Sequence, residues 1–353
     1  MTQSLRIGLI GAGRFGRLHL KVLQQLAGVE VAALADVSPE ALAAAAEEAN
    51  ISVEACYTDP LALIELDDLD AVDIVSDESS HGPLALAALR SGKHVIVEKP
   101  LAVTLQEAKA IQEASEKAGL QVLVGNISRF SQPYFTIKRN LDEGLLGRVA
   151  AIRTKRNFSR DWFHSFGSRV HPVYESGVHE LDLLVWYAGA RCKSVAAFER
   201  YMSGHAFPDL FAATLQFENG VVASLDSSWL VPPGGPRNLV DTLELDGTID
   251  AQIEVIGERG TAQYRLSHAG LSIWTAERVL QPEVTLWPTG PDGSVGGAIA
   301  AELAHFIRVI AENRPSPIMP LTDSVHVMEI ADAIVTSARE GRMVTLGHEG
   351  ESD

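Results

Sequence analysis

The sequence predicts two domains of different class: an α/β domain with a doubly wound parallel sheet, followed by an α+β domain with a mainly antiparallel open sheet. From Leu5 to about Gly125, short and nearly continuous apolar runs alternate with helical patterns, as in strands buried on both faces. After about Asn126, the runs alternate apolar and polar residues, as in a sheet covered on one face. The 353 residues suffice for two domains, and we place the division after residue 125, giving domains 1–125 and 126–353.

Five runs in the first part are predicted as strands, because Val, Ile, Leu and Ala dominate them with little polar interruption. They are Leu5–Ile10, Val31–Ala35, Ala71–Val75, His94–Val97 and Gln121–Val124. The helices between them have clear signals at their ends. Ser38 is a good N-cap with Pro39 at the first helical position, and Thr104 caps a helix over Leu105–Lys117 that Gly119 ends.

The second part begins its clearest strand pair at Leu210–Phe217, where apolar and polar residues alternate. Asn219-Gly220 is a strong hairpin turn, and Val221–Trp229 alternates again. Further strands are predicted at Gly147–Thr154, Ser194–Tyr201, Thr242–Asp246, Gln252–Ile256, Gly260–Arg265 and Leu271–Trp274. Two helices are predicted near the end of the chain, at Ala298–Ala311 and Asp323–Glu340.

The composition indicates a globular protein that binds neither nucleic acid nor membranes. Lys and Arg number 29 against 46 Asp and Glu, a formal charge of −17 that repels phosphate groups. Cys56 and Cys192 are too few for a disulfide framework or a CxxC metal site, so we expect free thiols in a reducing, cytoplasmic compartment and no metal. No apolar run approaches the roughly 18 residues that span a bilayer.

The most informative motif is the segment Gly11–Gly16, which has the GxGxxG pattern between a predicted strand and a predicted helix. This context is typical of a Rossmann dinucleotide-binding loop. Gly11 permits the tight turn, Gly13 lets a pyrophosphate approach the backbone, and Gly16 lets the helix pack on the sheet. The N–H groups at the start of the helix then face the phosphates.

Asp36 ends the second predicted strand, where an acid binds the ribose hydroxyls of NAD and repels the 2′-phosphate of NADP. No Arg or Lys follows at positions 37–39 to hold such a phosphate. NAD is therefore the predicted cofactor. The residues of this region expected to contact it are Gly11, Gly13, Arg14, Phe15, Gly16 and Asp36.

Four further motifs extend along the chain. They are Asp73–Ser76 leading to His81, Glu98-Lys99-Pro100 after the fourth long strand, Val124–Gly125 leading to Arg129–Phe130, and Glu175–Asp182. The helix Ile330–Arg342 completes the set. Together with the glycine loop, these motifs resemble the Gfo/Idh/MocA family of NAD(P)-dependent oxidoreductases over nearly the whole chain, and Glu98-Lys99-Pro100 is the most specific of them.

The resemblance implies that Lys99 is the lysine that reaches the reacting hydroxyl and the nicotinamide ribose. An ammonium there stabilises the oxygen that gains negative charge as its carbon gives up hydride. Glu98 is implied to contact the cofactor side, and Pro100 to fix the turn, often through a cis peptide. We therefore expect Lys99 to be catalytic, and Glu98 and Lys99 to bind the cofactor.

The turn before His81 departs from the family pattern, which commonly has Thr-Pro-Asn where this chain has Ser76, Asp77 and Glu78. Ser76 keeps a hydroxyl near the cofactor, whereas two acids beside a dinucleotide are unusual and change the local contacts. We expect Ser76 to bind the cofactor. His81 is placed with the cofactor residues too, as helix support rather than as a catalyst.

The resemblance also implies that His179 is the catalytic acid or base, since imidazole exchanges protons near neutral pH. Glu175 stands four residues earlier, where the family usually has Asp. If the helix already includes Glu175, it shares one face with His179, Asp182 and Trp186. Two roles stay open for Glu175: it orients His179 as the aspartate would, which we favour, or its longer arm binds substrate hydroxyls directly.

One segment is basic against the acidic total, with six Arg or Lys from Arg148 to Arg169 and only Asp161 opposing them. Arg153 and Lys155 point the same way by period two, which favours a solvated strand face. The later residues are open between solvated surface and a polar site for an acidic or phosphorylated sugar: Arg160, Trp162, His164, Arg169 and His171. The residues assigned to substrate binding are Arg129, Arg160, Trp162, His164 and Asp182.

The favoured function is NAD-dependent interconversion of a secondary alcohol and a ketone on a sugar or cyclitol such as inositol. The alternatives are a sugar-nucleotide or sugar-acid dehydrogenase, and a non-catalytic NAD-binding regulator. Retention of Lys99 and His179 argues against the regulator, because a sensor needs neither. We expect the site at the carboxyl edge of the parallel strands, facing the second sheet, in a cytoplasmic homodimer or homotetramer.

Overall fold

The computed structural model describes residues 4–235, 247–268, 271, 273–274, 279–281 and 284–347. By packing, the described chain forms two compact units. The first contains residues 4–130 and a later segment, 285–325, which we call the return segment; the second contains the described residues of 131–284 together with 326–347. These units are defined by how the chain packs. The division after residue 125 into a cofactor-binding and a substrate-binding domain therefore stays a prediction.

The first unit contains a parallel sheet of six strands with helices along the chain between them. The strands are β1 (Leu5–Ile10), β2 (Val29–Ala35), β3 (Cys56–Tyr57), β4 (Ala71–Ile74), β5 (His94–Glu98) and β6 (Val122–Gly125). The helices are α1 (Arg14–Gln25), α2 (Pro39–Ala49), α3 (Pro60–Ile64), α4 (Glu78–Arg90) and α5 (Leu105–Ala118). The strand order β3-β2-β1-β4-β5-β6 reverses direction at β1, so the carboxyl ends of β1 and β4 form a topological switch point.

The predicted strands and helix ends of this unit are confirmed. Ser38 accepts a hydrogen bond from the Ala41 N–H, and Thr104 accepts one from the Glu107 N–H. Gly119 ends α5 in the left-handed conformation with φ 66°. The two-residue strand β3 was not predicted, because it lies at the sheet edge and is too short to show a periodic pattern.

The second unit is built on a mixed, mainly antiparallel sheet of seven strands. The remaining strands of the chain are β7 (Val149–Ser159), β8 (Cys192–Arg200), β9 (Leu210–Phe217), β10 (Val222–Val231), β11 (Ile249–Gly257), β12 (Thr261–Arg265), β13 (Ile273–Trp274), β14 (Val279–Leu280) and β15 (Val344–Thr345). The sheet order is β12-β11-β7-β10-β9-β8-β15, while β13 and β14 pair separately. The remaining helices are α6 (Gln132–Asp142), α7 (Arg160–Phe166), α8 (Val178–Ala188), α9 (Gly297–Glu312) in the return segment, and α10 (Leu321–Glu340).

The sequence patterns of this part are largely confirmed, with one pairing that they did not indicate. Gly220 has φ 87° in the turn that joins β9 to β10, as the Asn-Gly signal predicts. At the centre of the sheet, β10 pairs with β7 in parallel, whereas the other pairs are antiparallel. The predicted strand Thr242–Asp246 lies outside the described residues, and β13 covers only the end of Leu271–Trp274.

One face of the large sheet carries the core of the second unit. Apolar side chains of β7 to β11 pack there with residues of α8 and α10, including Phe211, Leu215, Leu181 and Ile330. The other face of these strands carries polar and charged residues, so the expectation of one covered face is confirmed. None of the described helices combines the length and apolar character needed to cross a bilayer.

Candidate functional site

The glycine loop between β1 and α1 has the space that a dinucleotide needs. Gly11 has φ 103°, and a Cβ placed on it would lie 2.2 Å from the Val75 carbonyl oxygen. A Cβ on Gly16 would lie 1.8 Å from the Gly11 oxygen, so both positions exclude a side chain. At Gly13, by contrast, no atom lies within 4 Å of such a Cβ, which leaves this backbone open to a pyrophosphate group. The loop therefore fits the predicted dinucleotide.

The two side chains inside the glycine motif differ in their surroundings. Arg14 is exposed at the start of α1. Phe15 is half-buried, and its ring lies 6.1 Å from the ring of Trp287 in the return segment and 5.1 Å from that of His19. Arg14 is thus accessible to a cofactor phosphate, while Phe15 packs within the first unit.

Asp36 connects the end of β2 to the glycine loop. Its Oδ2 accepts a hydrogen bond of 2.6 Å from the Ala12 N–H, and its Oδ1 accepts one of 2.8 Å from the Ser38 N–H. A carboxylate offers about four acceptor positions, so two remain for ribose hydroxyls. Val37 beside it is 81% exposed, and Pro39 follows, so no cation of this turn faces a 2′-phosphate.

The two unexpected acids after β4 have a structural explanation. Asp77 is the N-cap of α4 and accepts a hydrogen bond of 3.2 Å from the Ser79 N–H. Glu78 lies in the first turn, where the helix dipole favours a negative charge. Ser76 precedes them, with its hydroxyl 2.6 Å from that of Ser80.

His81 connects the loops that follow two neighbouring strands. Its ring is buried, with Nδ1 2.8 Å from the Pro100 carbonyl oxygen and Nε2 3.1 Å from the Ser76 carbonyl oxygen. The Lys99–Pro100 peptide is cis, as the resemblance implies. Both ring nitrogens face backbone oxygens. His81 therefore supports the loop after β4 and the loop after β5, which contains Lys99, rather than presenting a group to a ligand.

Glu98 lies at the end of β5 in a cluster of buried charges that sequence reasoning did not assign. Its Oε2 accepts a hydrogen bond of 3.1 Å from the Lys99 N–H, and its Oε1 lies 3.4 Å from Nε2 of His19. On the other side of the His19 ring, Nδ1 donates a hydrogen bond of 2.9 Å to Asp73. Burial lowers the pKa of His19, but the two carboxylates outweigh it and raise that pKa to about 10. His19 is therefore a cation throughout the neutral range.

One sequence signal could have located this cluster. Asp73 stands inside an otherwise apolar strand that is buried along its whole length. A buried carboxylate needs a cation or hydrogen-bond donors. His19 fits as that partner, because it is a basic side chain on the buried face of α1, three residues after Gly16.

Glu175 and His179 lie in one continuous helical segment of the second unit, but not in a regular α-helix. Residues Val173–Gly177 form a π-helical turn, and α8 begins at Val178. The spacing of four between Glu175 and His179 therefore crosses a wider turn than the α-helical interpretation assumed. Both side chains are half-buried among buried neighbours, which supports a common accessible face, whereas Asp182 is fully buried.

Contacts with the sheet hold this helical segment in place. The Ser176 hydroxyl lies 2.9 Å from that of Ser227 on β10. A Cβ on Gly177 would lie 2.6 Å from the ring of Phe211 on β9, so the glycine permits close packing. Next to His179, Glu180 accepts a hydrogen bond of 2.5 Å from Arg156 in a buried ion pair. The backbone that carries His179 is thus held by contacts with three neighbouring strands of the sheet, β7, β10 and β9.

The basic segment is neutralised by acids that are distant in the sequence. Arg153 pairs with Glu254 at 2.9 Å, and Lys155 with Asp250 at 2.5 Å, both across the β7–β11 ladder. The predicted solvated strand face is confirmed for Arg153 and Lys155. Their positive charge is consequently not free to attract an acidic substrate.

The later residues of that segment fall into two groups. Arg160 and His164 are exposed on α7, with the His164 ring 5.5 Å from that of His205, and Arg169 is exposed beyond the helix. Trp162 packs beside Phe158, and His171 is buried with Nε2 3.0 Å from Glu199. Arg160, His164 and Arg169 are therefore accessible to a ligand, whereas His171 has a structural contact.

Arg129 has a structural task in the first unit. Its side chain is fully buried and donates hydrogen bonds of 2.7 Å to the Ile318 carbonyl oxygen and 2.9 Å to the Asp323 carboxylate. These contacts hold the return segment against residues 4–130 of the same unit. Substrate binding by Arg129 stays a prediction. Across the described residues, no group of three or more His, Cys, Asp or Glu is placed to hold a metal ion.

Comparison with known families identifies both parts of the chain. Residues 5–126 match the family described as "Oxidoreductase family, NAD-binding Rossmann fold", and residues 134–263 match the GFO/IDH/MocA C-terminal domain. The chain belongs to the GFO/IDH/MocA oxidoreductase family. The resemblance in its motifs is thereby confirmed, and the open cradle at Gly13 is that of an NAD-binding domain.

Three relatives of this GFO/IDH/MocA protein extend over most or all of it. D-apiose dehydrogenase of Paraburkholderia graminis is 29% identical over 96% of this chain and 88% of the relative. The scyllo-inositol 2-dehydrogenase (NAD(+)) of Bacillus subtilis is 26% identical over 98% of this chain and 97% of the relative. Inositol 2-dehydrogenase 4 of Saccharopolyspora erythraea is 32% identical over 64% of this chain and 67% of the relative.

Solved structures of the family share the fold. The apo scyllo-inositol dehydrogenase of Lactobacillus casei superposes with a TM-score of 0.81 at 22% identity, over 98% of this chain and 99% of that one. A probable dehydrogenase of Thermotoga maritima gives 0.79 at 23% identity, over 97% and 98%. At these identities the likeness establishes the fold alone.

Proposed function

We propose that this oxidoreductase is an NAD-dependent dehydrogenase that interconverts a secondary alcohol and a ketone on a sugar or cyclitol such as inositol. The observation that carries the proposal is the Glu98-Lys99-Pro100 turn, held by His81 and Glu98 at the carboxyl edge of the parallel sheet that carries the Gly13 cradle. Relatives that span nearly the whole chain are named for a sugar and an inositol, which supports this substrate class.

The residues of this chain divide the task between binding and proton transfer. The cradle of Gly11, Gly13 and Gly16 would hold the pyrophosphate of NAD, and Asp36 the adenosine ribose. NAD, when bound, supplies the hydride acceptor. Lys99 Nζ would donate a hydrogen bond to the substrate oxygen and stabilise the charge that develops there, while a ring nitrogen of His179 takes the hydroxyl proton.

Cofactor preference tests the role of Asp36. We expect NAD to be preferred over NADP by at least about tenfold in kcat/KM, about 1.4 kcal/mol, because the Asp36 carboxylate repels a 2′-phosphate. Asp36→Ala should reduce this ratio, chiefly through a higher KM for NAD. Steady-state kinetics with both cofactors measure the effect. Equal use of the two by the unsubstituted enzyme contradicts the assignment.

Glu175 is proposed to orient His179, as the aspartate of the family pattern would. Glu175→Gln removes the charge and keeps the size, so we expect kcat to fall about tenfold while KM for substrate stays within about threefold. Glu175→Asp, which keeps the charge, should lose less. A large rise in KM with unchanged kcat in Glu175→Gln would instead show that the carboxylate binds substrate hydroxyls.

The neutralised strand face of the basic segment and the named relatives favour neutral over strongly acidic substrates. Arg153 and Lys155 are paired with carboxylates, and the relatives that span nearly the whole chain are named for D-apiose and scyllo-inositol. We therefore rank inositols and neutral sugars above sugar acids and phosphorylated sugars. A screen of NAD reduction over inositols, pentoses, hexoses and sugar acids tests the ranking. Exclusive activity on acids would contradict it.

Assembly and location belong to the same proposal. A homodimer or homotetramer is supported by the exposed face of the large sheet, where Phe198 is 75% exposed. A cytoplasmic location is supported by the free thiols of Cys56 and Cys192, which are typical of a reducing compartment. Light scattering of the purified protein measures the assembly against the 38.0 kDa chain. A mass of one chain would contradict it.

A further inference from the structure

We propose that His19 is a positioning residue for Lys99 and acts through the carboxylate of Glu98. The inference rests on the proposed function, since it assigns to His19 a part in the work of Lys99. His19 lies on α1, Asp73 on β4 and Glu98 on β5, so the cluster joins the helix of the glycine loop to the strand that ends at Glu98, the residue before Lys99.

The first step is the placement of His19 between two carboxylates. Its side chain is 1% exposed, Asp73 is fully buried, and Glu98 is 8% exposed. Within the described chain, Asp73 Oδ1 and Glu98 Oε1 have no hydrogen-bond donor, so the imidazolium is the charge that stabilises both acids. Two buried carboxylates without that cation would repel each other and lose their solvation.

The second step is the confinement of Glu98. A Cβ on Gly125, the last residue of β6, would lie 2.2 Å from Glu98 Oε1 and 2.7 Å from its Cδ. The Glu98 carboxylate therefore lies directly over Gly125. Its Oε1 is also the oxygen that lies 3.4 Å from Nε2 of His19. In this position the other oxygen, Oε2, accepts the hydrogen bond of the Lys99 N–H at 3.1 Å.

The consequence for Lys99 follows from these contacts. Because Glu98 holds the Lys99 peptide, a displaced or neutralised Glu98 changes the direction in which the lysine side chain leaves the backbone. Misplacement of a reacting group by about 1 Å can lower a rate by as much as 10²-fold. NAD binding through the glycine cradle and Asp36 should change little, so the effect appears in kcat.

The closing experiment begins with a glycine pair. Gly125→Ala is expected to lower kcat about 10- to 100-fold, with KM for NAD within about threefold, because its methyl group displaces the Glu98 carboxylate. Gly8→Ala is the matched control. Gly8 is buried in β1 of the same sheet, and its added Cβ would lie 2.5 Å from Leu63 Cδ2 and 2.8 Å from Leu69 Cδ1, so its nearest neighbours are apolar side chains. It should lower the melting temperature and leave kcat within about twofold.

A histidine pair tests the same idea from the other side. His19→Gln should lower kcat at least about tenfold. The double variant with Gly125→Ala should be no slower than the slower single variant, because both act through Glu98. His326→Gln is the control: His326 is equally buried and lies 2.8 Å from Glu329 in the second unit, and its loss should not change kcat. If His19→Gln does not fold, the glycine pair decides.

The Lys99→Ala background separates this inference from the proposed function. There, Gly125→Ala should have almost no further effect on the residual rate, since the positioned group is gone. An undiminished further loss in that background overturns the positioning role and leaves Lys99 in the mechanism. Wild-type kcat in Gly125→Ala overturns it as well. Wild-type kcat in Lys99→Ala itself refutes the role of Lys99 in the proposed function, and the inference falls with it.

Discussion

Replacing Lys99 with alanine is expected to lower kcat by about 100-fold or more, the range for losing a positioned proton donor or charge stabiliser. The ammonium is the group proposed to face the substrate oxygen as negative charge develops there. NAD binding should stay within a few-fold, because the glycine cradle and Asp36 are untouched. Steady-state kinetics on the best substrate, with a separate NAD titration by protein fluorescence, measure the two effects.

A surface lysine of the same unit provides the control. Lys21 on α1 is half-exposed and pairs with Glu48 at 2.7 Å, and exposed pairs of this kind contribute little. Lys21→Ala should leave kcat and NAD affinity unchanged. A Lys99→Ala enzyme with normal kcat would remove this residue from the mechanism and strengthen the case for a non-catalytic NAD-binding protein.

Replacing His179 with glutamine is the second substitution with a large expected effect. Loss of a general acid or base lowers rates by about 10²- to 10⁴-fold, so kcat should fall within that range while KM for NAD stays nearly constant. Glutamine keeps a polar side chain of similar size on α8, where the Glu180–Arg156 ion pair fixes the helix. Circular dichroism and the melting temperature should match those of the wild type.

The histidine substitution has a specific contradictory result. Unchanged kcat together with a raised KM for the sugar would make His179 a substrate-binding residue and leave the proton to another group. The His326→Gln variant again serves as the comparison, since it removes a buried histidine with a carboxylate neighbour outside the proposed mechanism.

Local chemistry made the fold of the first unit predictable. Its strands are apolar almost throughout, and its helices begin at Ser38 and Thr104 with the caps that the sequence indicates. The glycine loop was predictable for the same reason, because backbone atoms beside Gly11 and Gly16 leave no room for a side chain at either position. At Gly11 and Gly16, an added Cβ would meet backbone oxygens at 2.2 and 1.8 Å.

Features that depend on distant pairing were not predictable. The acids that neutralise Arg153 and Lys155 stand about one hundred positions later, and only the register of β7 against β11 brings them together. The parallel contact of β7 with β10 has no local signature either. The pairing of His19 with Asp73, 54 residues away, was also missed, although an acid inside a buried apolar strand indicates that a cation or hydrogen-bond donors lie nearby.

The helix of His179 shows a third kind of limit. A period of 3.6 places Glu175 and His179 on one face, and the pattern gives no sign that Val173–Gly177 forms a π-turn.

The departure from the family pattern at Asp77 and Glu78, by contrast, has a local explanation. Helix-capping rules explain both acids without any reference to the cofactor.

The central claim is that this chain transfers hydride from a carbinol carbon of a sugar or cyclitol to NAD. The most direct measurement uses the best substrate of the screen with deuterium on that carbon, followed by mass spectrometry of the reduced cofactor. The account predicts one deuterium in the nicotinamide ring for each ketone formed, and none from an isotopomer labelled elsewhere. Absence of NAD reduction across the whole panel, or reduced cofactor without the label, would contradict it.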